Sequence, residues 1–433
     1  MKQPESGARP GFSESFAQKV RGFMFRISEN KRTQIGRIML ACLILCLATA
    51  LPLKADGPVL DCPIGTYQVG TSCVLVSVPP AGSWNGDLVV FAHGYVSPAI
   101  ETPEVEDYEI PPESGQTVSM ILNGLGYAFA TTSYSDNGLA IPQAVVDIKD
   151  LVDHFKDTYT TPGHIYLVGA SEGGLVAALA LETYPGLFDG GLAICGPVGN
   201  FKKQVNYLGD FLVLFNYFFP DFWDDVEFEL KKIAGAQFVL EKPTPAGIPG
   251  ILVNEDVWEA IVAPMVVSAI QSNPSARRQL LRVANAPVDP DDPLSMETVL
   301  GVLWYGIFAT NDAIEKLGGI PYDNSRRWYS GSANDLRLNW RIDRYRASGT
   351  ALYNIESDLQ TSGRLSDPLV TMHTTQDPIV PYWHETLYNL KTLFGGSLLY
   401  HLNVPVVRYG HCAFSQEELL TGFAIMLFMS GGY

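Results

Sequence analysis

Histidine is scarce in this chain, with seven among 433 residues, and none pairs with another histidine or a cysteine at metal-ligand spacing. That argues against a metal centre, and nothing in the sequence calls for a cofactor. Positive charge is also in short supply. Lys and Arg number 29 against 46 Asp and Glu, a formal net charge of −17. Nine of those 29 cations lie in residues 1–54 beside three acids, so the remainder holds 20 against 43. Such an acidic surface repels a phosphate backbone and excludes nucleic acid as a partner. No internal repeat is visible. The longest apolar run, IMLACLILCLATALPL at residues 38–53, has 16 residues and includes Pro52, short of the ~20 needed to span a bilayer.

What is present is ample apolar material. At 47% hydrophobic content and 433 residues, the chain can bury a sizeable core as one large domain with an insertion, or as two domains. Lys19, Arg21, Arg26, Lys31, Arg32 and Arg37 precede the apolar run, and Ala48-Thr49-Ala50 offers a cleavage site. Residues 1–50 therefore read as a secretory leader, with Met24 as an alternative start. The mature protein is expected to be exported, periplasmic or extracellular, with no stable membrane insertion after cleavage. Cys62, Cys73, Cys195 and Cys412 then remain, an even number compatible with two disulfides. Cys62 and Cys73 bracket a short Gly-containing segment. A bond between them would close a hairpin and stabilise the fold by ~3 kcal/mol on the chain-entropy model.

Along the chain, apolar and polar residues alternate over residues 72–79 as in a half-buried strand. DLVVFA at 87–92 is a near-continuous apolar run of the kind found inside a parallel sheet, and it ends at His93-Gly94. The region 96–115 is rich in Pro and Glu and reads as a surface loop. A helix over 116–125, a strand over 127–132 and a helix over 141–159 follow. Then comes IYLVGASEGGLVAALA at 165–180, a strand that stops at Gly169 and restarts as a helix, with Ser171 and Gly173 completing G-x-S-x-G. The turn must be tight enough to lift the serine Oγ clear of the sheet, so bulk at Gly169 or Gly173 would strike the neighbouring strand or helix. Another strand ends at Cys195. The alternation then lapses over 199–364, where aromatic and charged helical patterns replace buried strands. It resumes with a strand over 368–374, a helix over 383–393, a strand region over 398–409 and a final helix over 415–428. Alternating strands and helices imply a mainly parallel sheet covered on both faces.

A serine hydroxyl needs an adjacent base, and the base needs an acid to hold its tautomer. Ser171, Asp377 and His411 each follow a predicted strand, and the C-terminal ends of parallel strands share one edge. Of the seven histidines, His93 belongs to the turn that ends the strand at 87–92, His154 and His164 precede the nucleophile, His373 lies inside a strand, His384 is expected on a helix surface and His401 in a strand, which leaves His411 as the base. Asp367 and Glu385 are fallbacks for the acid. The acidic run over 221–229 reads as a solvated helix face.

The order Ser, Asp, His, the elbow GASEG, His93-Gly94, the run Asp377-Pro-Ile-Val-Pro and Gly410-His411 together resemble the α/β-hydrolase superfamily over residues 72–198 and 366–433. The resemblance implies an α/β-hydrolase core in two parts, 51–198 and 365–433, with a mostly helical lid over 199–364. It implies Ser171 as nucleophile, His411 as base then acid, and Asp377 as the orienting carboxylate. The backbone N–H groups of Tyr95 and Glu172 would form the oxyanion hole, the Glu172 side chain being structural. In the tannase and feruloyl esterase branch a disulfide ties a cysteine beside the nucleophile to one beside the histidine. Here Cys412 follows His411 but Ala170 precedes Ser171; Cys195, at the end of the next predicted strand and so on the same edge, is the expected partner of Cys412. The expected function is an exported serine hydrolase that cleaves carboxylic esters of small molecules through an acyl-enzyme. The alternative is an exopeptidase of the prolyl-peptidase type acting on short peptides, with Asp224, Asp225, Glu227 and Glu229 holding the amino terminus. A non-catalytic binding protein on the same fold is the third reading, and the oligomeric state stays open.

Overall fold

The computed structural model describes Cys62, residues 65–98 and residues 117–432. The leader, its cleavage site, Met24 and most of the Pro- and Glu-rich loop lie outside these residues.

Eight strands form one sheet: β1 (Tyr67–Val69), β2 (Ser72–Ser77), β3 (Leu88–Ala92), β4 (Ala128–Thr132), β5 (Ile165–Ala170), β6 (Gly190–Ile194), β7 (Leu369–Gln376) and β8 (His401–Tyr409). Their spatial order is β1-β2-β4-β3-β5-β6-β7-β8. β1 and β2 pair antiparallel, β2 pairs antiparallel with β4, and β3 to β8 run parallel. The Cys62–Cys73 disulfide ties the chain ahead of β1 to β2.

Parallel strands joined by helical crossovers are buried on both faces, which is why β3 reads as an unbroken apolar run and why β4 is buried along its whole length. Leu88, Val90 and Ala92 pack toward α2 (Ile141–Thr158) and α3 (Glu172–Thr183). Val89 and Phe91 face the opposite layer, where Leu122 of α1 (Val118–Gly124) and Phe423 and Met426 of α13 (Gln416–Ser430) lie. α13 begins with a reciprocal capping box between Ser415 and Glu418, which satisfies two of the orphan N–H groups at its start.

Residues 199–364 contribute no strand to the sheet. They supply α4 (Phe201–Phe218), α5 (Phe222–Ala234), α6 (Ala263–Ser272), α7 (Pro274–Ala284), α8 (Leu294–Phe308), α9 (Thr310–Lys316), α10 (Asp335–Arg341) and α11 (Gly349–Asp358). The last crossover helix, α12 (Trp383–Gly395), lies between β7 and β8. In α4 the aromatic stretch is core material, with Phe211, Leu212, Leu214 and Phe215 buried. Its buried Asp210 accepts hydrogen bonds from Tyr322 and Tyr329 and pairs with Arg327. Residues Asp221–Lys242, which include α5, form a separate compact unit. Within that unit Glu227 pairs with Lys231 and accepts the Leu240 N–H, and Glu229 pairs with Lys232. No helix among the described residues is long and apolar enough to cross a membrane.

Two expectations need correction. The segment over 398–409 is not extended throughout: Leu398–Tyr400 forms a 3-10 turn, and the strand starts at His401. His384 is not on a helix surface but fully buried. Its Nδ1 accepts the Gly199 N–H, and its Nε2 donates to Gln204. The insertion leaves the core beside α12 and covers that face, which helical periodicity alone could not foretell.

Candidate active site

The turn between β5 and α3 holds Ser171 at φ 56° and ψ −120°. For a non-glycine residue this is a strained conformation, costing on the order of 1–3 kcal/mol, and such strain gathers at functional sites. Close packing enforces it. A Cβ on Gly169 would collide with the Gly173 carbonyl, and one on Gly173 with the Ala92 carbonyl. The expected bulk exclusion at both glycines is therefore visible in the backbone.

Ser171 Oγ lies 2.8 Å from His411 Nε2, and His411 Nδ1 lies 2.7 Å from Asp377 Oδ2. Three residues spread over 240 positions meet because β5, β7 and β8 end at one edge of the sheet. The other Asp377 oxygen accepts the N–H groups of Ile379 and Val380, both at 2.9 Å. Burial alone would raise the Asp377 pKa. The His411 charge and hydrogen bonds from His373 and His411 outweigh it and bring the pKa down to about 2, so the acid stays ionised at neutral pH.

The His93-Gly94 turn after β3 closes on the serine: a Cβ on Gly94 would sit 3.2 Å from Ser171 Cβ. Tyr134 braces this turn by stacking on the His93 ring at 3.9 Å between centroids and donating its hydroxyl to the His93 carbonyl. Glu172 is the first residue of α3 and Tyr95 follows the turn directly, so both backbone N–H groups expected to receive an oxyanion belong to segments flanking Ser171. The Glu172 carboxylate accepts the Ala140 N–H at 3.0 Å. Burial pushes its pKa up to about 8, against the Ala140 hydrogen bond and the Lys316 charge.

Cys195 and Cys412 form a disulfide with their Cα atoms 5.4 Å apart. It joins the end of β6 to the residue after His411, and Cys412 Sγ lies 3.6 Å from His411 Nε2. Cys195, His411 and Cys412 also form a cluster of three potential metal ligands among the described residues, but both sulfurs are committed to the disulfide. Of the fallback acids, Asp367 accepts the Gly186 N–H, remote from the serine.

Sequence reasoning passed over a charged layer behind Asp377. His373, fully buried in β7, places Nδ1 3.0 Å from Glu385 Oε1. Its Nε2 lies 2.6 Å from the Val380 carbonyl and 3.4 Å from Asp377 Oδ2. Glu385 Oε2 accepts from Thr371 at 2.5 Å and Asn403 at 2.7 Å. The available signal was a histidine and an aspartate four residues apart across a strand end, followed by a glutamate in the first turn of the next helix.

An open, mainly parallel sheet with a strained serine between strand and helix defines the α/β-hydrolase architecture. The family model described as serine aminopeptidase, S33, matches residues 138–244, the quarter of the chain that carries the elbow. The fold is that of the α/β-hydrolases, and the match over residues 138–244 supports an enzyme, a serine hydrolase. Among solved structures it is similar to feruloyl esterase B from Aspergillus oryzae, at 13% identity and TM-score 0.39 over 80% of this chain and 72% of that one. It is similar also to Est1E from Butyrivibrio proteoclasticus, at 12% identity and TM-score 0.36 over 83% of this chain and 93% of that one. A third is the Pyrococcus horikoshii acylaminoacyl peptidase, at 11% identity and TM-score 0.39 over 82% of this chain. The matched region spans 39% of that peptidase's length. Likeness at this distance carries no argument about activity. No curated protein matches the chain.

Proposed function

We propose that the protein is an exported esterase that cleaves carboxylic esters through an acyl-enzyme, with Ser171 as nucleophile, His411 as base then acid, and Asp377 as the orienting carboxylate. The observation that carries the reading is the continuous hydrogen-bonded chain from Ser171 Oγ through both His411 nitrogens to Asp377. Ser171 attacks the ester carbonyl while its proton passes to His411 Nε2. The resulting oxyanion rests on the N–H groups of Tyr95 and Glu172, and His411 then protonates the departing alcohol. Water, activated by the same nitrogen, releases the acid and restores the serine. Each oxyanion donor in such a site is typically worth ~10²- to 10³-fold in rate.

The insertion over 199–364 acts as the lid that shapes the substrate site, and the two disulfides suit an exported protein. Peptide cleavage is the second reading, favoured by the description of the matching family. The test is turnover of short aryl esters and of aminoacyl arylamides by the wild type, Ser171→Ala and His411→Ala. Ester turnover that disappears in both variants supports the proposal. Undiminished turnover in either defeats it, and preferential arylamide cleavage moves the assignment to a peptidase.

A further inference from the structure

A cavity of about 120 Å³ adjoins Ser171, with walls from both the sheet edge and the helical insertion. Leu139, Phe201, Val205, Leu208, Ile379 and Val380 give it a hydrocarbon lining. The polar side chains that reach it are largely occupied by the protein. Gln204 donates to the Ile379 carbonyl and accepts from His384, Thr310 donates to the Gly306 carbonyl, and Tyr95 to the Phe308 carbonyl. Tyr322 donates to Asp210. No Lys or Arg lines the cavity, and its one acid, Glu172, is held mostly neutral at pH 7 by burial.

Tyr95 and Glu172 line this cavity beside Ser171, whereas His411 does not. Tyr305 forms the wall nearest the base, its ring edge-on to His411 at 6.4 Å between centroids. A leaving alcohol must lie against His411 to be protonated, so the cavity is on the other side of the scissile bond. We infer, on the reading of Ser171 as nucleophile, that this cavity is the acyl pocket, that it takes an uncharged aliphatic acyl group of about four to six carbons, and that Gly306 sets its depth. The size follows from comparison with an engineered apolar cavity of about 150 Å³, which accommodates one benzene. A hydroxycinnamoyl group, a substituted ring with a three-carbon chain, exceeds that space. An acyl chain ending in a carboxylate would lose its hydration with no cation to receive it.

Gly306 lies in the interior of α8, where glycine is disfavoured relative to alanine. Its φ is not positive, and an added Cβ would meet only the Leu208 carbonyl, at 3.7 Å. Neither backbone conformation nor packing requires glycine there; the missing side chain leaves room in the pocket.

The experiment measures kcat/KM for 4-nitrophenyl acetate, butanoate, hexanoate, decanoate, hemisuccinate and cinnamate, alongside fluorophosphonate labelling of Ser171. The wild type should gain about fourfold per buried methylene up to hexanoate and lose activity at decanoate. Hemisuccinate should fall at least tenfold below butanoate, and cinnamate at least tenfold below hexanoate. Gly306→Ala should lower the hexanoate-to-acetate ratio about fourfold and Gly306→Val at least thirtyfold, with folding checked by circular dichroism. Alanine is the better helix former, so the first variant keeps the test valid even if the second fails to fold. A labelled enzyme whose chain-length profile is flat, or unmoved by Gly306→Ala, overturns the pocket assignment and leaves the esterase reading standing. An enzyme that neither labels at Ser171 nor turns over any ester overturns both.

Discussion

The buried pair behind the acid makes the sharpest stability prediction. Both nitrogens of His373 face acceptors: a carboxylate oxygen of Glu385 on one side, the Val380 carbonyl and Asp377 on the other. A neutral imidazole has one N–H and would leave a lone pair facing an oxygen, so the ring is an imidazolium. Burial opposes that charge, but hydrogen bonds to Asp377 and Glu385 and their negative charges prevail, raising the His373 pKa to about 10. A histidine whose folded pKa lies above its unfolded value of about 6.5 contributes stability that is full below pH 6.5 and is lost as pH rises through 10. Glu172 has its own raised pKa of about 8 and lowers stability over roughly pH 4.5 to 8. The interval from pH 8 to 10 therefore reports chiefly on His373, with Lys203 and Lys391, whose pKa values burial lowers from 10.5, acting in the opposite sense toward its upper end. At ~1.4 kcal/mol per unit, tapering near the folded pKa, the His373 contribution should fall by about 2 kcal/mol across it.

Glu385→Gln removes one partner of the buried pair and should cost about 3–5 kcal/mol at pH 7, a large part of a total stability of ~5–15 kcal/mol. The variant should also lose most of the pH 8 to 10 slope, because a weakened anion no longer holds the proton on His373. Urea unfolding at pH 7, 8, 9 and 10 measures both quantities. A variant that costs less than about 1 kcal/mol and retains the wild-type slope would refute the charged-pair assignment.

The Cys195–Cys412 bond closes a separation of 217 residues, worth up to ~5 kcal/mol on the chain-entropy model, so Cys195→Ser/Cys412→Ser should lower the melting temperature markedly. Its sulfur sits beside His411, so ester turnover should fall even at temperatures where the variant remains folded; equal kcat for the folded forms would deny the bond a positioning role. Gly173→Ala, whose methyl would meet the Ala92 carbonyl, should abolish soluble expression, whereas Gly186→Asn, at a left-handed position with open space around it, should leave stability within about 1 kcal/mol.

The sequence made the sheet legible because its parallel strands carry apolar runs, as in LVVFA of β3, bounded by turn residues. Ser171, Asp377 and His411 were legible for a related reason: each follows a strand, and parallel topology alone brings such ends to one edge. The disulfide between Cys195 and Cys412 followed from the same geometry. His384 was misplaced because its burial depends on Gly199 and Gln204, about 180 residues away in the insertion. The charged layer formed by His373 and Glu385 was missed although both residues were noticed, since the His373–Asp377 spacing is only a faint signal and the partners of the two ring nitrogens are set by the packing of the following turn and helix. The insertion resisted throughout. Its helices are fixed by long-range side-chain contacts, such as Asp210 to Tyr322 and Tyr329, that periodicity does not encode.

One turn connects the chemistry to the insertion. The residues after β7 hold Asp377 through the Ile379 and Val380 N–H groups, and the same two side chains wall the cavity beside Ser171. From α4, Gln204 donates to the Ile379 carbonyl and Tyr207 to the Pro378 carbonyl, each at 2.8 Å. His384 then ties Gln204 back to α12. A helix that merely covered the site could be exchanged without disturbing Asp377, but α4 supplies hydrogen bonds to the very loop that holds it. Losing either donor leaves a buried carbonyl unsatisfied, at a cost of ~1–3 kcal/mol, beside the carboxylate that meets His411 Nδ1. Changes in α4 should therefore alter turnover as well as substrate range, and the insertion is part of the machinery that holds Asp377 in place.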